Sequence, residues 1–135
     1  MAGNAGNQAS LNTLNETKNE FVRAAELAVV RAEGRRREVV GLRLVVDATT
    51  LEISRLTEAI LRLQQPGAPE PMLEERLAIM NQLKEGHQAR LPILAEEIAT
   101  ATAAAEAFDA ASDAAQQSAE ETRVLITECL NSMGM

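Results

Sequence analysis

The sequence predicts an all-α fold, a long antiparallel helical hairpin of coiled-coil type that packs into a multi-helix bundle or a higher assembly. Three observations carry this. Apolar residues recur every three and four positions over two long stretches, and one proline-rich segment divides them. Large aromatic side chains, which usually fill a thick globular core, are almost absent, with two Phe and no Tyr or Trp. The apolar content of 46% comes from Ala, Leu, Val and Ile, which suit thin helix–helix seams.

Residues 1–10 are rich in Gly, Asn, Ala and Gln without a period, and read as a flexible N-terminal arm. Helix 1 is expected over 11–64. Thr13-Leu14-Asn15-Glu16 has the Thr-x-x-Glu spacing in which hydroxyl and carboxylate satisfy the free amides of a helix start. From Leu11, steps of three and four reach Leu14, Lys18, Phe21, Ala25, Ala28, Ala32, Arg35, Val39, Leu42, Val46, Thr49, Ile53, Leu56, Ile60 and Leu63. A 3.5-residue repeat sustained over this distance marks a coiled-coil seam. Such a helix would run for roughly 80 Å at 1.5 Å per residue.

A turn is expected over 65–71, where Pro66, Gly67, Pro69 and Pro71 cannot continue a helix. Pro71 suits the first position of helix 2, with Glu74 and Glu75 in the first turn, where the helix dipole favours negative charge. Helix 2 is expected over 72–133. Its seam passes through Leu73, Leu77, Met80, Lys84, His87, Leu91, Leu94, Ile98, Ala101, Ala105, Phe108, Ser112, Ala115, Ala119, Thr122, Ile126, Cys129 and Met133. Gly86 and Pro92 place a kink or a break at 86–92, and the unbroken heptad phase favours a kink. A break would fold the chain into a three-helix bundle instead.

Two helices of matched length joined by a short turn pair antiparallel, and facing residues should number about 135 together. The expected intrachain core is Phe21, Val39, Leu42, Ile53, Leu56, Ile60, Leu94, Ile98 and Phe108. The chain reads as a single domain.

A hairpin needs one apolar stripe per helix, and helix 1 has a second. Leu27, Val30, Gly34, Arg37, Gly41, Leu44, Ala48 and Leu51 lie away from the seam at the same spacing, and residues 39–46 are apolar nearly all round. Met72, Ile79, Gly86, Ile93, Ala107 and Ala114 repeat the pattern on helix 2. The predicted oligomer interface is Leu27, Val30, Gly34, Gly41, Leu44 and Leu51, with the glycines admitting close backbone approach.

A net charge of −7 argues against a general nucleic-acid binder, which needs a basic face. Arg31, Arg35, Arg36, Arg37 and Arg43 form the one basic concentration. Salt bridges to Glu33, Glu38, Glu96 and Glu97 explain it structurally; an acidic partner is the functional reading. No apolar stretch is long enough to span a bilayer, and the first residues lack the charged and apolar regions of a cleavable signal. The expected location is cytoplasmic, or exported and assembled without such a signal.

No catalytic, cofactor-binding or metal-binding residues are expected. His87 and Cys129, the single residues of their types, would stand roughly 60 Å apart on a continuous helix. The pairs Glu74-Glu75, Glu96-Glu97 and Glu120-Glu121 point in different directions as helix neighbours, so solvated faces account for them. The functional expectation is a non-enzymatic structural protein that self-associates into an oligomer or filament, as virion, secretion-filament and scaffold components do. An amphipathic coat on lipid or polymer granules is the second reading, disfavoured by the absence of Trp and of Lys-rich polar faces. An adaptor or chaperone that accepts a helix of another protein is the third.

Overall fold

The computed structural model describes residues 2–67 and 72–134, with side chains from Gly6 onward. It consists of two helices, α1 (Ala2–Leu63) and α2 (Leu73–Ser132), of 62 and 60 residues. They pack against each other as an all-α helical hairpin with no strand among the described residues.

The chain divides into two compact units. One joins Met1–Arg35 to Ala103–Met135, and the other is Arg36–Thr102. In the first, the only fully buried residues described are small: Ala25, Ala28 and Ala32 of α1, and Ala105, Ser112 and Thr122 of α2. Phe21 and Phe108 flank them, half-buried. In the second unit Val39, Thr49, Ile60, Leu94 and Ala101 are buried. Burying a Val, Leu or Ile side chain stabilises by about 1.5–3 kcal/mol and a single methyl by under one, so the second unit gains more per contact.

The burial pattern follows the three-four stepping. Each of the eleven buried residues occupies a seam position. Every described seam position of α2 is at least half-buried, and on α1 Arg35 alone is exposed. Its long side chain can cover the seam with its stem while the guanidinium stays in water.

Three seam positions carry hydroxyls, and each is satisfied on its own helix. Thr49 Oγ1 donates to the Val45 carbonyl at 2.7 Å and Thr122 Oγ1 to that of Ser118 at 2.8 Å. Ser112 Oγ accepts from Gln116 Nε2 at 3.2 Å. No buried side-chain polar atom lacks a partner among the described residues. Thr49 therefore interrupts the apolar run without the cost of an unpaired buried group.

The structure departs from the sequence expectations at the start of α1. The arm expected over 1–10 is helical from Ala2. Thr13 lies inside α1, where its Oγ1 donates to the Ala9 carbonyl at 3.1 Å instead of capping a helix start. α2 is long enough to give this first stretch something to pack on, and the Cys129 thiol donates to the Asn7 carbonyl at 3.6 Å.

α2 runs unbroken through Gly86 and Pro92, the course that the continuous heptad phase favours over a break. The three-helix alternative is thereby excluded. Pro92 costs α2 one backbone hydrogen bond, and its exposed position leaves the orphaned carbonyl of the preceding turn within reach of water.

At the turn the helices stop within one residue of the expected bounds. α1 ends with Gln64 N–H donating to the Ile60 carbonyl and Gln65 N–H to that of Arg62, before Gly67 takes a φ of 89° that glycine adopts freely. Met72 has a φ of 64°, and its carbonyl accepts from Arg76 N–H at 3.0 Å. Met72 is thus the N-cap residue of α2, held in a backbone conformation uncommon outside glycine. The expected placement of Pro71, and of the turn over 68–71, lies outside the described residues.

Contacts between the helices in the first unit fix their direction. Asn7 meets Cys129, and the Arg31 guanidinium lies over the Phe108 ring at 6.0 Å from its centroid. The pairing is antiparallel, with facing residues totalling slightly more than the expected 135.

Candidate functional site

An α-helix with a seam on one side presents its remaining sides to water unless something covers them. Along α1 the stripe opposite the seam is exposed throughout: Leu27, Val30 and Gly34 in the first unit, and Arg37, Gly41, Leu44, Ala48 and Leu51 in the second. Val30 is 64% exposed and Leu44 63%. A Cβ built on Gly34, Gly41 or Gly86 would meet nothing within 4 Å, so no contact inside the hairpin requires glycine there. On α2, Met72, Ile79, Gly86, Ile93, Ala107 and Ala114 are likewise exposed, Met72 at 66% and Ile79 at 58%. Val40, Leu61, Leu83, Val124 and Leu125 add further exposed apolar surface that the spacing argument did not single out.

Of the residues expected in the core, Val39, Ile60 and Leu94 are buried. Phe21, Leu42, Ile53, Leu56, Ile98 and Phe108 are half-buried on the seam. Half-burial is the geometric consequence of a two-helix layer, in which each seam side chain keeps one edge towards solvent.

The five arginines of the basic stretch are all exposed. Arg31 engages the Phe108 ring, a cation–π arrangement, and Arg35 and Arg36 each take part in further interactions. His87 and Cys129 are half-buried on the seam of α2, in different units. Glu74, Glu75, Glu96, Glu97, Glu120 and Glu121 are exposed. No group of three or more His, Cys, Asp or Glu among the described residues is placed to hold a metal ion. No described helix is long and apolar enough to cross a membrane.

The first unit also holds an open groove of about 400 Å³ that the sequence reading missed. Val22, Ala25, Val29 and Ala119 form its apolar floor; Lys18, Glu26, Gln116, Glu120 and Arg123 surround them. Alanines at positions 25 and 119 leave the space. The signal was available, since Val22 and Val29 are seven residues apart and each follows a seam position.

At the rim, Arg123 Nε donates to Glu120 Oε2 at 2.9 Å and to Oε1 at 3.1 Å. Hydrogen bonds from this guanidinium, with its charge, hold the Glu120 carboxyl below its ordinary pKa despite slight desolvation, and Glu120 in turn raises that of Arg123. The pair is fully exposed and orders the rim without adding much stability.

The chain matches no protein-family model, no curated protein and no solved structure. Functional inference therefore rests on the surfaces just described.

Proposed function

We propose that this protein is a non-enzymatic structural component whose helical hairpin self-associates through its outward apolar stripe into an oligomer or filament. The observation that carries the reading is the exposure of Leu27, Val30, Leu44 and Leu51 on the side of α1 turned away from α2. Leucine and valine at 3.5-residue spacing with glycines between them are the pattern of a helix–helix seam, and the hairpin supplies no helix to cover it. Exposed apolar side chains at this spacing, in each of the two units, are what an interaction site needs. The residues that carry the interface are Leu27, Val30, Gly34, Gly41, Leu44 and Leu51.

The test is the solution mass of the full-length chain by light scattering after size exclusion, across a hundredfold concentration range. A mass of two or more chains, lost in a Leu44→Ser/Leu51→Ser variant that stays helical, is the expected result. A chain that remains monomeric throughout would overturn self-association and direct attention to a foreign helical partner or a lipid surface.

A further inference from the structure

We infer that the seam of the unit Arg36–Thr102 is built to hold two helices and no more, and that a polar layer of Thr49, Lys84 and His87 keeps a second copy of the chain from merging its own seam into this one. The inference rests on the self-association reading for its role: copies that associate meet on the outside of the hairpin.

Every seam position of this unit is apolar except Thr49 on α1 and Lys84 and His87 on α2. The three fall together. α1 ends at Leu63 and α2 begins at Leu73, so facing residues total slightly more than 135 here too, and Thr49 stands level with His87. Lys84, three residues before His87, shares its face of α2. Thr49 is buried and its hydroxyl donates to the Val45 carbonyl at 2.7 Å, while Lys84 and His87 are half-buried.

Two arguments give the layer its role. The first is reach. A pair of helices leaves both edges of its seam open, so the four-carbon stem of Lys84 can lie on apolar neighbours while its ammonium stays in water. The chain uses this freedom in one direction only. Lys18 is likewise half-buried on the seam of the first unit, Arg35 is exposed there, and none of the 20 acidic residues occupies a seam position of either helix. The second is enclosure. Val39, Ile60 and Leu94, with their half-buried apolar neighbours, form a seam that a second hairpin could merge with as a four-helix core. Such a core would close the edges over Lys84, with no seam carboxylate from either copy to pair it, and would take His87 out of water as well. A buried cation without a partner is strongly unfavourable, and one polar seam position is enough to select the number of helices at some cost in stability.

The experiment compares the full-length chain with Lys84→Leu/His87→Leu, and with Glu85→Leu/Gln88→Leu as a control that places two leucines at exposed positions one residue further along. Solution mass by light scattering across a hundredfold concentration range is read on each, together with thermal unfolding followed by circular dichroism. The seam variant should keep its helicity, unfold about 5 °C higher at the lowest concentration and associate at least about tenfold more strongly than the parent. The control should match the parent's association. A seam variant whose mass follows the parent's at every concentration, or falls below it, would overturn the role of the layer, as would a control that gains as much. The parent's own mass reports on self-association separately. A monomeric parent with an associating seam variant would sink the self-association reading and leave the layer standing, and an associating parent with an unchanged seam variant would do the reverse.

Discussion

Gly41→Leu should move folding and assembly in opposite directions, which makes it the sharpest single test of the outward face. Gly41 lies in the middle of α1, exposed, and an added Cβ meets nothing within 4 Å. Inside one hairpin the substitution only replaces a poor helix former with a good one, worth about 0.8 kcal/mol. For a chain of this size that is a rise of about 3 °C in Tm. In the proposed assembly the same side chain would stand where a neighbour's backbone approaches. Overpacking of a close contact costs about 2 kcal/mol, some thirtyfold in the association constant. The assay is thermal unfolding followed by circular dichroism at several protein concentrations, with mass by light scattering alongside. The parent's Tm should climb with concentration, because association stabilises the folded chain by mass action. The variant should start higher at the lowest concentration and stay flat, so that the two curves cross. A variant whose Tm rises with concentration as steeply as the parent's, at unchanged mass, would refute the argument that Gly41 admits a close neighbour.

Pro92→Ala should raise stability by about 3 kcal/mol in urea unfolding, because it restores a helical hydrogen bond at an exposed position of an unbroken helix. Leu94→Ala should lower it by about 3 kcal/mol, since Leu94, 4% exposed, is among the few large side chains that are buried and its removal leaves a cavity. Glu120→Gln should give a small pH-dependent loss. Arg123 depresses the folded-state pKa of Glu120, so the stabilisation is complete above the ordinary carboxylate pKa and vanishes as pH falls through the depressed value. Urea midpoints of parent and variant should differ slightly at about pH 7 and coincide near pH 2.

Much of the fold was legible because a two-helix layer writes its geometry into one periodicity. Each buried residue lies on the stepping of three and four, including Thr49, Ser112 and Thr122, whose polarity would argue against burial if composition alone were consulted. What the stepping could not foretell was where the helices begin. Thr13 carries a capping signal, yet its hydroxyl is equally able to bond the carbonyl one turn back once the preceding residues have a helix to lie against. Pro92 carries a breaking signal, but one lost bond is a small penalty beside a seam that keeps packing on either side of it. The outward stripe of α1 was equally readable, residue by residue. On α2 the exposed Met72, Ile79 and Ile93 share a heptad position that the spacing shows, whereas Leu83, equally exposed, stands at another and was not singled out. The groove beside Ala25 and Ala119 escaped because it is made by what those residues lack.

The alanine seam of the first unit has a consequence for how this end of the molecule fails. Separating helices whose buried contacts are Ala25, Ala28, Ala32, Ala105, Ser112 and Thr122 uncovers small side chains, with the half-buried Phe21 and Phe108 as the large ones. Opening there is inexpensive, so amide protons in this stretch should exchange well before those around Val39, Ile60 and Leu94. The two ends of the molecule therefore differ in how readily they open.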